Sequence, residues 1–121
     1  MTVSWSDDQR AKVDSTLAEH PLDSHRCADT ARAIIPTARD LDGASKARIV
    51  LPGLPGARCV LPREFSPRPY WTHHVTVAVT DHYVDGLTRS PGEPSTSYLG
   101  KHFHRPEFHT IEDVDLERDD L

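Results

Sequence analysis

Cysteine is scarce in this 121-residue chain, which holds only Cys27 and Cys59. Two thiols make no disulfide framework, so a small bridged secreted scaffold is excluded, and reduced thiols in a cytosol are the simpler expectation. Lysine is confined to Lys12, Lys46 and Lys101, and Gln9 is the one glutamine. A basic footprint is missing too. The formal net charge is -5, which makes nucleic acid and anionic membrane poor partners. No apolar run approaches the length needed to cross a bilayer. "MTVSWSDDQR" lacks the basic-then-apolar order of a secretory signal, and a cytoplasmic protein is expected.

What is present suits a small, slightly polar soluble domain, with 36% hydrophobic and 27% charged residues. The length allows one core and not two. We expect a single domain over residues 1–111 and an acidic tail over 112–121, where "EDVDLERDDL" carries six acids and one arginine. Ser6 and Gln9 in "SDDQ" form a capping box, predicting a helix over 7–19. "HPLDSH" stops it, because the residue before Pro21 disfavours helix. Asp23 or Ser24 then caps a second helix, "RCADTARAII", whose Cys27, Ala31 and Ile34/Ile35 share a stripe. Pro36 is expected to end or kink it. Strands follow at 47–51, 57–61, 71–79 and 83–87, the first two joined by a "PGLPG" turn. "SPGEPSTS" reads as a loop, and the region from Tyr98 onward has too weak a periodicity to assign. Helices first and strands afterwards predict an α+β fold, with helices packed on one face of an antiparallel sheet.

Three residues in this layout can share one chemistry. Cys27 falls in the first turn of the second helix, where unpaired amides and the dipole favour a thiolate and can receive an oxyanion. The bland alternative is a small apolar residue on a buried stripe, and for Cys59, mid-strand, that alternative wins. "YWTHHVTVAVTDHYVDGL" puts His73 and His74 at the mouth of an apolar strand. If "VTDH" turns the chain, Ala78 pairs with Tyr83 and Thr76 with Asp85. Asp85 then shares a face with His74 at a diagonal distance of roughly 7–8 Å. A carboxylate beside an imidazole steadies its charged form and tautomer, the arrangement of a general base. His74 is the choice, with His73 in reserve should the turn be odd in length. A solvent-facing hairpin with incidental polar residues is the competing account, but Trp71 gives the site an apolar, shielded entrance.

"RCADTARAI", "WTHHVTVAV" and "HYVDGLT" in this order resemble the papain-like and transglutaminase-like cysteine hydrolases, above all compact bacterial papain-fold toxins and glutamine deamidases. The resemblance spans about Arg26 to Thr88. It implies a minimal papain-like core, with Cys27 as nucleophile, His74 as base and Asp85 as orienting acid. It also implies a protein or peptide amide as substrate, a thioester intermediate and no cofactor. Papain-type enzymes carry a glutamine ahead of the cysteine for the oxyanion hole, and here only Gln9 exists, as a helix cap. That disfavours an endopeptidase and favours an amidase, deamidase or acyltransferase. The second oxyanion donor is left to Ser24 or His25.

Two rivals remain. "HFHRPEFH" supplies His102, His104, Glu107 and His109, and a His-x-His pair with a carboxylate can hold zinc or another divalent ion. Surface histidines on a polar loop explain the same letters. Alternatively, the chain is a non-catalytic interaction module whose acidic tail meets a basic partner.

Overall fold

A computed structural model of the chain describes residues 1–64, 66, 70–119 and 121. Helix α1 (Asp7–Glu19) starts as its sequence requires. Ser6 Oγ accepts from the Gln9 amide at 3.1 Å, and Gln9 Oε1 accepts from the Ser6 amide at 2.9 Å. The reciprocal cap satisfies two donors that a helix start would otherwise leave bare.

Helix α2 (Cys27–Leu41) departs from expectation at its start and in its middle. Leu22–Ser24 form a short 3-10 turn in which Ser24 Oγ donates to the Pro21 carbonyl at 2.6 Å. Ser24 is thereby occupied, neither it nor Asp23 caps α2, and Arg26 takes the N-cap without a side-chain bond to the helix amides, its guanidinium pairing with Asp29 instead. Pro36 neither ends the helix nor shortens it. Pro36 and Arg32 are both exposed, so water can serve the carbonyl that loses its intrahelical donor.

The sheet has five strands in the order β4-β3-β2-β1-β5: β1 (Lys46–Pro52), β2 (His74–Val79), β3 (His82–Val84), β4 (Glu93–Pro94) and β5 (His109–Asp113). Every neighbouring pair is antiparallel, so the fold is α+β as expected. Residues 57–61 are not the expected strand. Both edges of β1 are filled by β2 and β5, leaving no ladder for them to join. The Val60 amide donates instead to the Trp71 carbonyl at 2.9 Å, and the Leu61 amide to His109 Nε2 at 3.1 Å. The unassigned C-terminal region supplies helix α3 (Tyr98–His102), a 3-10 turn (Pro106–Phe108) and β5. Strand β5 also runs two residues into the stretch expected as an acidic tail, because Lys46 and Arg48 on β1 pair with Asp113. Val114 and Leu116 then pack against the core, so this stretch is not a simple solvated tail.

The sheet is covered on both faces. On one, Val75, Val77 and Val79 meet Ala31, Ile34 and Ala38 of α2. On the other, Trp71, Tyr98 and Phe103 form an aromatic layer with Val50 and Tyr83. Each fully buried valine contributes about 1.5–3 kcal/mol relative to exposure. Strand β2 is buried at five of its six positions, polar ones included. Among the described residues no helix is long and apolar enough to cross a membrane.

Pro36→Ala should raise the unfolding free energy by about 1–3 kcal/mol, since it restores a helical hydrogen bond at an exposed site. Urea unfolding of the two proteins measures this; an unchanged or lower midpoint would contradict the account of α2.

Candidate active site

The three predicted residues come together at the N-terminus of α2. Cys27 is the first residue of that helix and half-buried, His74 is the first of β2, and Asp85 follows the last of β3. The hairpin between β2 and β3 has the expected register, with Ala78 opposite Tyr83. It turns through Thr80 and Asp81 alone, not the four residues of "VTDH", and their φ values of 44° and 62° are the left-handed backbone conformations that match a two-residue turn to the right-handed twist of its strands. Strand β3 stops at Val84 and does not continue to 87. There the Asp85 carboxylate turns back on its own loop, Oδ1 accepting from the Leu87 amide at 2.7 Å and the Thr88 amide at 3.0 Å.

His74 is 2% exposed and Asp85 3%. His74 Nε2 lies 3.1 Å from Asp85 Oδ2. That is ion-pair distance, yet Nε2 makes no well-aligned hydrogen bond. Asp85 Oδ2 accepts its aligned bond from Tyr98 Oη at 2.6 Å. The His74 ring stacks on Trp71, with centroids 4.8 Å apart and planes 10° from parallel, and touches Phe103 at 6.2 Å. This cage fixes the ring and excludes water from it.

The electrostatics follow from that burial. Desolvation would push His74 down, but the Asp85 charge and contact, with Cys27 adding to them, raise it to about 9. Burial would likewise lift Asp85, and the His74 charge, helped by Thr76 and Tyr98, holds it well below the usual carboxylate range instead. For Cys27, burial favours the thiol. Contacts from His73 and His74, the His74 charge and the Val75 amide outweigh it and lower the thiol to about 6. Both histidines of the pair reach the sulfur, so His73 is not merely a reserve for His74. With Nε2 engaged by Asp85, Nδ1 is the His74 nitrogen left for proton exchange with the sulfur. Long or poorly aligned contacts are common in such sites before a ligand closes on them.

A cleft of about 140 Å³ opens onto the sulfur, walled by Leu22, Tyr70, Trp71, His73 and the turn around His25. His25 has φ 57°, a left-handed conformation uncommon outside glycine, and it redirects the chain into α2. No side chain caps α2, which leaves first-turn amides beside Cys27 able to receive an oxyanion. Of the two suspected second donors, Ser24 has its hydroxyl on Pro21, while His25 lines the cleft.

The C-terminal histidines do not converge. His104 and Glu107 are exposed. His109 Nε2 accepts from Leu61, so its proton sits on Nδ1, which donates to the Arg105 carbonyl at 3.0 Å. His102 is buried against Glu93. Among the described residues no cluster of three or more His, Cys, Asp or Glu is poised to hold a metal. Sequence reasoning missed Tyr98 and Thr76 as supports of Asp85. Thr76 was legible as sharing the His74 face of β2, whereas Tyr98 lies in the region whose periodicity was too weak to assign.

Iodoacetamide should label Cys27 with a rate that is half-maximal near pH 6, while Cys59 reacts much more slowly there; peptide mass mapping reads both. Stability should carry a second signature. From pH 6.5 to 9 the folded chain holds one proton fewer than the unfolded chain on Cys27 and one more on His74. The first makes stability rise with pH, the second makes it fall, and the two slopes cancel. Cys27→Ala leaves only the second. Its stability relative to the parent protein should therefore fall across that window, by on the order of 2–3 kcal/mol, in urea titrations at several pH values.

No protein-family model matches this chain, and neither the curated proteins nor the solved structures contain a match to it.

Proposed function

We propose that the chain is a papain-like cysteine hydrolase or acyltransferase acting on an amide. One observation carries the reading: a half-buried sulfur at a bare helix start reaches an imidazole that is paired with a buried carboxylate. A merely structural cysteine needs none of this apparatus.

In the proposed cycle His74 holds the proton of Cys27 and the thiolate attacks the amide carbonyl, forming a C–S bond. The first-turn amides of α2 receive the oxyanion. The C–N bond then breaks as the amine takes a proton from His74, leaving a thioester. Water attacks the thioester, gives a proton to His74, and the C–S bond breaks to restore the thiolate and release the acid. If an amine takes the place of water, the same steps transfer the acyl group. Asp85 keeps its charge throughout and holds the ring. Glutamine side chains of a protein or peptide are the substrate we propose first, on the resemblance of the three motifs. The cleft favours a slender substituent between Leu22 and the aromatic wall over a wide polypeptide groove. A reducing cytosol is the proposed setting, since Cys27 must remain a thiol and both cysteines are unpaired.

Purified protein should release ammonia from glutamine-containing peptides and accumulate an adduct on Cys27 that hydroxylamine cleaves. Cys27→Ala and His74→Ala should reduce turnover below detection while unfolding cooperatively. Asp85→Asn should lower kcat by roughly 10²–10⁴-fold. Full activity in Cys27→Ala would overturn the proposal.

A further inference from the structure

The carboxylate that serves His74 also serves a residue with no assigned part in the chemistry. Asp85 Oδ1 is pinned by the Leu87 and Thr88 amides, which fixes the carboxylate plane. Oδ2 is then the oxygen open to the ring. It receives Tyr98 Oη at 2.6 Å and His74 Nε2 at 3.1 Å, and only the phenol makes a well-aligned hydrogen bond. Tyr98 is fully buried, packed edge-on against Tyr83 at 4.9 Å. Its helix, α3, is tied to β4 because Glu93 accepts from Ser97 Oγ at 2.6 Å and pairs with Lys101 at 3.1 Å. The phenol is therefore held where it is, whatever occupies the cleft.

We propose that Tyr98 is a positioning residue that sets how tightly Asp85 holds the imidazolium of His74, by competing with the ring for one carboxylate oxygen. The proposal rests on the triad reading above. A donor on Oδ2 spreads the carboxylate charge and draws the lone pair away from Nε2. Removing it returns both to the ring, so His74 keeps its proton to higher pH and Cys27 loses its proton at lower pH. Burial, with the Asp85 charge adding to it, pushes the phenol's own proton release well above the usual tyrosine range, so Tyr98 stays a donor wherever the enzyme works. The groups able to interfere are few. His74 faces Cys27 from α2, and its other close neighbours, Trp71 and Phe103, are uncharged; His73 also reaches the Cys27 sulfur, so the His74 ring signal is the primary readout. Tyr98 faces Tyr83 from β3, Thr76 from β2 and His102 from its own helix.

The test uses the full chain and needs no substrate. Ring NMR follows the His74 titration, and iodoacetamide labelling follows Cys27 from pH 4 to 10. In Tyr98→Phe the His74 midpoint should rise by about half to one pH unit, and Cys27 should be labelled roughly 3–10-fold faster on the acid limb. A phenol that only fills space would lower the melting temperature and leave both midpoints in place, and that result overturns the proposal. Asp85→Asn is the reference: it should drop the His74 midpoint, and adding Tyr98→Phe should move it no further. If Asp85→Asn does not lower the midpoint, the triad reading itself fails, and this proposal with it. Should Tyr98→Phe not fold, monofluorotyrosine placed at position 98 donates more strongly and must lower the His74 midpoint; an unchanged or raised midpoint overturns the proposal equally.

Discussion

Moving an imidazolium and a carboxylate out of water costs several kcal/mol per ion, and here both lie inside a sheet at 2% and 3% exposure. Attraction between the two repays such a cost only where the remaining lone pairs are also satisfied. Asp85 meets that condition. Two backbone amides bind one oxygen, and a phenol and the imidazole share the other. His74 is served less completely, since neither of its nitrogens makes a well-aligned hydrogen bond. Besides Asp85, the ionisable group in contact with the ring is Cys27. A ring held charged by a carboxylate behind it, with its other nitrogen facing a thiol, keeps that thiol ionised, which is why the sulfur and the ring shift in opposite directions.

That pair dictates the unusual burial of the sheet. An α+β domain of this size commonly leaves the second face of its sheet wet. Here the second face carries Trp71, Tyr98 and Phe103, and these rings shut water away from His74 and Asp85. Because α2 covers the opposite face, β2 is enclosed from both sides. The aromatic layer is assembled from segments far apart in the chain, and β5 seals the edge of β1 beside it. Much of the C-terminal third thus serves a site whose reacting atoms all lie in the first two thirds.

The legible part of this arrangement was local. The Ser6–Gln9 cap, the apolar run of β2 and the hairpin register are written in neighbouring residues, and they place α1, put His74 at the start of β2 and bring Asp85 to it, although Asp85 lies just past β3 and not within it. Cys27 was legible as a residue of the first helical turn, although its cap was misread: Ser24 bonds Pro21 through a 3-10 turn that propensity does not reveal. What failed was non-local. Residues 57–61 look like a strand, but strand status depends on a free edge, and β5 occupies it. Tyr98 carries no pattern of its own, and only the tertiary fold brings it 2.6 Å from a carboxylate thirteen residues back. The C-terminal histidines, expected first as surface residues of a polar loop with metal ligation as the rival, are another non-local case, since the fold buries His102 and His109. Spacing alone suggested ligands, whereas the fold gives His109 to backbone groups and His102 to Glu93.

The nucleophile and the acid are also set against each other outside the reacting atoms. Gly86, next to Asp85, lies so close to the 3-10 turn that an added Cβ would sit 2.7 Å from Leu22 Cδ2. Any side chain larger than hydrogen would force the Leu22 side chain to shift. The turn leads through His25, at φ 57°, straight into the helix that carries Cys27. Loop 85–88 therefore has two duties: its amides orient the carboxylate, and its glycine lets the nucleophile's turn rest on it. A left-handed, non-glycine residue costs on the order of 1–3 kcal/mol and persists only where surrounding contacts over-determine it. The Leu22–Gly86 contact is one such determinant. It sets the turn that leads to Cys27 against the loop that anchors Asp85, with His74 between the sulfur and the acid.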